Sequence, residues 1–317
     1  MHIGITGGAG FIGANLARRC TTEGWEVSVF DDFSTGLSSN LDELPVEVTR
    51  ASLVDLDFVR QFVGSVDRVV HLGARGSVPR SIRNPVATHA VNATGTFNIL
   101  EAARKDGKPV IFSSSSSVYG RNGELPKLET QWTGPLTPYA ASKLAGEAYA
   151  QAYSAAYDFN VLTFRFFNVF GPWQRPDHDY AAVIPKWIWK AMHGESIDVH
   201  GDGAQTRDFT SVSTVVEVIV DAIKRDVCHP GPVNLAYGNS VSLLDLVDNL
   251  RQYFPDLRTN HTETRTGDVR NSQNDPTLLT SLFPTISPQP FSLAIKSTIE
   301  WLQQEGQRVA NGPAVAD

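Results

Sequence analysis

Tyr139 and Lys143 stand four residues apart in PYAASK, downstream of a serine run, FSSSSSVYG, at Phe112–Gly120. The alanine-rich surroundings favour helix, and at that spacing both side chains project from one helical face. A phenol with its ordinary pKa of about 10 is a poor base at neutral pH. An ammonium one turn away favours the phenolate and makes it a better one. The serines offer a hydroxyl to hold a substrate oxygen beside that phenol. The chemistry on offer is therefore proton removal from, and return to, a substrate hydroxyl.

Such a pair needs a scaffold and a partner for the electrons. At the N-terminus His2–Thr6 reads as an apolar strand. Gly7-Gly8-Ala9-Gly10-Phe11-Ile12-Gly13 follows, then a helical pattern through Cys20. A second apolar run, Val27–Phe30, ends in Asp31-Asp32. Strand, glycine loop, helix, strand and acid in this order are what a dinucleotide site requires. Glycines admit backbone close to a diphosphate, and the helix N-terminus presents unpaired N–H groups to it. A carboxylate at Asp31 accepts hydrogen bonds from ribose hydroxyls and repels a 2′-phosphate, which favours NAD over NADP.

The alternation goes on: strands at Val46–Thr49, Arg68–Leu72, Pro109–Ser113 and Val161–Phe166, and helices at Leu56–Val63, Ala90–Arg104 and Ala140–Tyr157. This predicts an α/β fold, a Rossmann-type doubly wound parallel sheet, whose ligands sit beyond the carboxyl ends of the strands. The serine run falls at that edge. Residues 1–167 are expected to form the nucleotide-binding domain, joined by a returning helix and strand near 205–237. Residues 168–310 are expected to form mainly a smaller substrate-binding lobe, and 311–317 a frayed tail.

Composition narrows the function. The 317 residues are 41% hydrophobic and 19% charged, an ordinary globular mix. Lys+Arg 27 against Asp+Glu 34 gives −7, with the basic residues scattered, which disfavours a nucleic-acid surface. No apolar run approaches the roughly 18 residues of a membrane span. Cys20 and Cys228 lack metal-ligand spacing and read as free thiols of a reducing cytoplasm. Asp177, His178 and Asp179 are too close together in one loop to make a good ligand set, so no metal is expected. His71 and His200 lie on apolar strands and read as wall or core residues.

Taken together the chain resembles the extended short-chain dehydrogenase/reductase family, in its branch of NAD-dependent nucleotide-sugar epimerases such as UDP-glucose 4-epimerase. The resemblance spans roughly residues 1–305. It rests on GGAGFIG, DDFSTG, HLGARGSVPRS, VNATGTFNILEAA, SSSSSVYG, PYAASK, RFFNVFGP, GDGAQTRDF and RTGDVR, in that order. It implies that Gly7, Gly10, Phe11, Ile12 and Gly13 cradle the NAD diphosphate, and that Asp31, Asp32, Ser34 and Thr35 follow the adenosine ribose. It puts Ser52, Leu53, Leu72, Ala74, Asn92 and Phe167 around the rest of the cofactor. Tyr139 is implied as catalytic base, with Lys143 lowering its pKa and holding the nicotinamide ribose, and Ser115, four before Tyr119, as the catalytic hydroxyl. Ser77, Ser115, Ser116, Tyr139, Asn168, Val183, Val199, Arg207, Arg265 and Asp268 are implied to hold a UDP-sugar, the two arginines on its diphosphate.

The implied reaction oxidises the sugar at C4, turns the 4-keto sugar over and reduces it from the other face. The chain also departs from the family's pattern. Dehydratases carry an Asp-Glu pair after the catalytic hydroxyl; Ser116 and Ser117 stand there, which argues for epimerisation. Ser52 replaces a frequent aspartate, and Gly73 and Arg75 are unusual in their motif. Ser272 is small where a bulky residue restricts relatives to glucose and galactose, leaving room for a 2-acetamido group. Arg175, in a loop like that of glucuronate-specific epimerases, is the feature favouring UDP-glucuronate instead. A homodimer through helices 90–104 and 140–157 is implied as well. A non-catalytic dinucleotide-binding regulator is disfavoured by the presence of Ser115, Tyr139 and Lys143.

Overall fold

The computed structural model describes residues 1–177, 181–263 and 271–310, with side chains as far as 304. Short Val-, Ile- and Phe-rich runs form the strands, as β-branched and aromatic residues do on a pleated surface. They are β1 (His2–Thr6), β2 (Glu26–Asp31), β3 (Val46–Arg50), β4 (Arg68–His71), β5 (Val110–Ser115), β6 (Val161–Phe166), β7 (Val169–Phe170), β8 (Ile197–His200), β9 (Thr206–Arg207), β10 (Thr210–Ser211), β11 (Val233–Leu235), β12 (Val241–Ser242) and β13 (Thr259–Thr262). Between them run α1 (Phe11–Thr22), α2 (Leu56–Gly64), α3 (Val78–Arg83), α4 (Pro85–His89), α5 (Gly95–Lys105), α6 (Pro138–Tyr157), α7 (Val183–Met192), α8 (Val212–Arg225), α9 (Leu243–Arg251), α10 (Thr277–Leu282) and α11 (Phe291–Ala310).

Among the described residues seven strands form one sheet in the order β11-β6-β5-β4-β1-β2-β3, with every pairing parallel. The order reverses beside β1, which opens the crevice where such sheets bind ligands. Both faces are covered. Leu16, Ala17 and Cys20 of α1 pack with Val215, Ile219 and Ile223 of α8 on one side. Val59 and Phe62 of α2 pack with Ile99 and Leu100 of α5 on the other. The strand at Val233–Leu235 and helix α8 thus belong to the sheet's layers although they come late in the chain. A separate core joins α7, α9 and α11 to β8 through Ile188, Leu246, Ile295 and Val199.

Two local features set the crevice's shape. Helix α6 starts where the Thr137 hydroxyl accepts the Ala140 N–H at 3.2 Å, with Pro138 in the first turn, where its missing N–H costs nothing. It lies close on β5 because Gly146 has no side chain; a Cβ there would come within 2.8 Å of the Phe112 ring. The expected strand Pro109–Ser113 runs on through Ser115, whose neighbour is Phe166 of β6. The waiting partner strand overrides the weak strand preference of serine. The helix expected from Ala90 begins as a π turn, Ala90–Thr94, before α5. Helices α3, α4 and α10 and strand β13 carry too little periodicity to be read from sequence.

Candidate active site

A cleft of 490 Å³ runs along the carboxyl ends of β2, β1, β4 and β5. Gly7, Gly10, Phe11, Ile12 and Gly13 line it. The glycine turn is as tight as a backbone allows: a Cβ on Gly13 would sit 2.2 Å from the Gly7 carbonyl oxygen. Gly7 has φ +69°, and a Cβ there would lie 2.7 Å from Gly73 N and Cα. Asp31, at the end of β2, accepts the Ala9 N–H at 3.0 Å and the Phe33 N–H at 2.9 Å, one on each carboxylate oxygen. Burial pushes its pKa up and the two N–H groups hold it back. Each oxygen keeps a further lone pair for a ligand hydroxyl. Asp32, Ser34, Thr35, Leu53, Leu72 and Ala74 line the same wall. Asn40, whose amide donates to Ala9 O at 2.8 Å, joins them from a segment with no local sequence signal.

At the β5 end the cleft meets Ser115, Tyr139 and Lys143. Lys143 Nζ donates to Ser113 O at 2.7 Å, and burial brings its pKa down to about 7. Burial also pushes the Tyr139 phenol above its ordinary value, with a Ser115 hydrogen bond pulling the other way. The expected lowering by Lys143 is not what this environment produces, because desolvation penalises both charges and the ammonium is turned to a carbonyl. Ser115 Oγ accepts from Ser117 N at 3.2 Å and Ser117 Oγ at 2.9 Å, so its own hydrogen remains for Tyr139 or a ligand. One turn beyond Lys143, Glu147 makes a buried bidentate pair with Arg165 of β6 and accepts from Ser114 Oγ at 2.8 Å. That pair ties α6 to β5 and β6, and so fixes where Tyr139 and Lys143 emerge.

The remaining expected contacts divide. Ser77 and Asn168 line the cleft, and Asn168 Nδ2 donates to Asp208 O at 3.1 Å. Phe167 does not: it is fully buried against Val118, Tyr119 and Ala236, while Phe166 faces the cleft in its place. Val199 is fully buried in the second core, and Val183 packs against that core beside the cleft-lining Ala182. Ser52 and Ser116 stand back from the cleft, between or beside residues that line it. Asn92 is buried behind it, donating to Ser142 Oγ at 3.0 Å. Arg207 lies in β9, donating to Thr206 O at 2.8 Å, and Ser272 donates its N–H to the same oxygen; neither lines the cleft. Arg265 and Asp268 are outside the described residues. Arg75, Arg80, Trp173, Gln174 and Arg175 do line it, the last three from the loop after β7. Arg175 is gripped by Asp177 through bonds of 2.9 and 2.6 Å.

The profile of the NAD dependent epimerase/dehydratase family matches residues 3–236. The chain belongs to that family. UDP-glucose 4-epimerase of Mycolicibacterium smegmatis is 33% identical over 96% of this chain and 99% of its own length. UDP-glucuronic acid decarboxylase 1 of Danio rerio is 29% identical over 97% of this chain and 74% of its own. Among solved structures, UDP-N-acetylglucosamine 4-epimerase from Methanobrevibacter ruminantium superposes with a TM-score of 0.90 at 30% identity, covering 96% of this chain and 98% of that one. The protein is thus an NAD-dependent enzyme of the epimerase/dehydratase family. Its cleft fits NAD on its own terms: a glycine turn with no room for side chains, the uncapped N-terminus of α1 behind Gly10, and a buried acid at the end of β2. Among the described residues no helix is long and apolar enough to cross a membrane.

Proposed function

We propose that the protein is a UDP-hexose 4-epimerase that works through a 4-keto sugar and accepts either a hydroxyl or an acetamido group at C2. The observation that carries this reading is the absence of a carboxylate from the described cleft wall around Tyr139. Its lining acids, Asp31 and Asp32, belong to the β2 end, three strand spacings or about 14 Å from β5. Expelling water from a sugar needs an acid at the departing hydroxyl, and Ser116 and Ser117 supply none.

Bound NAD supplies a reversible hydride acceptor and a positive charge beside the phenol; it would be held by the glycine turn, Asp31, Leu72, Ala74, Tyr139 and Lys143. In this reading Tyr139 takes the proton of the sugar 4-hydroxyl and later returns it. Ser115 holds the same oxygen and relays the proton. Lys143 holds the nicotinamide ribose, and the positive charge that arrives with NAD favours the phenolate that burial alone opposes. The family resemblance assigns Arg207 and Arg265 to the UDP diphosphate and Asp268 to its ribose, although Arg207 stands outside the described cleft lining. The hexose stays loosely held and can turn over.

The relaxed size preference rests on the resemblance, which matches Ser272 to a position where a bulky residue restricts relatives; Ser272 itself stands outside the described cleft lining. UDP-glucuronate is the second reading, favoured by Arg175 in the cleft wall. That guanidinium is already neutralised by a bidentate carboxylate, and a uronate would have to displace Asp177 from it. Neutral sugars are therefore preferred. Turnover of UDP-glucose, UDP-N-acetylglucosamine and UDP-glucuronate measured side by side tests this; activity confined to UDP-glucuronate would sink the first reading. The other partner we propose is a second copy of the chain, on the face of α5 and α6 where Phe97, Tyr149 and Tyr157 are exposed.

A further inference from the structure

The cleft contains a guanidinium that the family's expected contacts do not use. Arg75 follows β4, and its backbone is clamped by one side chain: Arg75 N donates to Asn92 Oδ1 at 2.8 Å, and Asn92 Nδ2 donates to Arg75 O at 3.4 Å. Asn92 is itself held by Ser142 on α6. Arg75 lines the cleft, and its Nε is buried without a hydrogen-bond partner. No carboxylate among the described residues pairs with it. The other cations of the cleft wall are engaged: Arg175 is held by Asp177, and Lys143 donates to Ser113 O. Arg80, although its Nε too is buried without a hydrogen bond, has a partner elsewhere on its side chain.

Its place in the chain says which anion it can reach. Gly73, two residues before it, is seated on Gly7 so closely that a Cβ on Gly7 would lie 2.7 Å from Gly73 N and Cα. Arg75 is thus within about 7 Å of chain from the glycine turn. The acids lining the cleft, Asp31 and Asp32, stand at the end of β2, on the glycine turn's other side. A dinucleotide diphosphate brings two more negative charges, and the N-terminus of α1 offers only about half a positive one. A planar guanidinium presents paired N–H groups in a fork that matches phosphate oxygens.

We propose that Arg75 binds the diphosphate of the dinucleotide and supplies the cation that this glycine turn lacks. The test uses full-length protein freed of nucleotide and titrated calorimetrically with NAD, ADP-ribose and adenosine at low and high salt. R75Q is expected to weaken NAD and ADP-ribose by about 10- to 100-fold, to leave adenosine unchanged, and to flatten the salt dependence. R75K, which keeps the charge, is expected to retain most of the affinity. The ratio of KM for UDP-glucose to that for UDP-glucuronate should stay at the wild-type value. Unchanged ADP-ribose binding in R75Q would overturn the proposal, and so would an equal loss for adenosine, which would report a disturbed loop. A loss confined to UDP-glucuronate would assign Arg75 to the sugar and overturn it equally.

Discussion

Tyr139 and Lys143 face a conflict that a ligand has to resolve. Burial raises the phenol's pKa and lowers the ammonium's to about 7, so without ligand both groups tend toward neutrality. Positive charge brought beside the phenol reverses the first tendency. Because the base must be deprotonated and its pKa starts high, activity should climb with pH across the neutral range. We expect Y139F to lower kcat by about 10²- to 10⁴-fold and to leave NAD bound; a variant with unchanged turnover would refute the base assignment. His71, nearby in sequence to Arg75, has no part in this. Gly73 N donates to Thr6 Oγ1, which leaves that hydroxyl's proton for His71 Nδ1 at 2.6 Å. Thr96 Oγ1 spends its own proton on Asn92 O and so accepts from Nε2 at 3.0 Å. Burial holds the ring neutral, with its pKa down to about 3.

At the level of elements, the site is made by α6 lying against β5. Gly146 admits the Phe112 ring, and the Glu147–Arg165 pair locks the helix in azimuth. The helix's other face, with α5, shows Phe97 and Tyr149 in edge contact at 5.3 Å and respectively 36% and 44% exposed. Aromatic side chains left half in water on two adjacent helices suit a face that closes on a copy of itself. If so, F97D/Y149D should sediment as a monomer where the wild type sediments as a dimer; a wild-type monomer at micromolar concentration would remove the idea.

The whole molecule carries a buried charge conflict in Asp208. Its side chain is fully buried, accepts the Gly238 and Asn274 N–H groups at 3.0 and 2.9 Å, and its pKa is pushed up to about 7 by burial. Its backbone oxygen accepts from Asn168 Nδ2, so Asp208 ties the segments at Gly238 and Asn274 to a residue of the cleft wall. A carboxyl whose pKa is raised on folding binds more protons in the native state, so its contribution to stability falls as pH rises from about 4 to 7. The loss is at most about 4 kcal/mol. His71, with its pKa lowered on folding, acts oppositely: its contribution is lost as pH falls from about 6.5 toward 3. D208N keeps an oxygen for both N–H groups and removes the charge. Thermal melts should show the wild type losing stability relative to D208N between pH 5 and 8, and parallel curves would contradict the assignment.

The glycine turn, Asp31 and the Tyr139–Lys143 pair were legible because their geometry is local: a strand–turn–helix unit and one helical turn each dictate which atoms meet. The alternation of short apolar strands with helices likewise fixed a parallel sheet and its ligand-bearing edge. What needed the tertiary structure was the direction and company of side chains. Phe166 rather than Phe167 faces the cleft because successive residues at the end of β6 point to opposite sides, and the buried pocket near Tyr119 took the second. Val199, which the resemblance put on the UDP-sugar, is buried in the core that α7 and α9 close over. Asn40 reaches Ala9 from a turn that nothing nearby announces. Whether a given arginine is a spent or an available cation, as with Arg175 and Arg75, depends on which carboxylate packing brings alongside, and residue spacing does not carry that information.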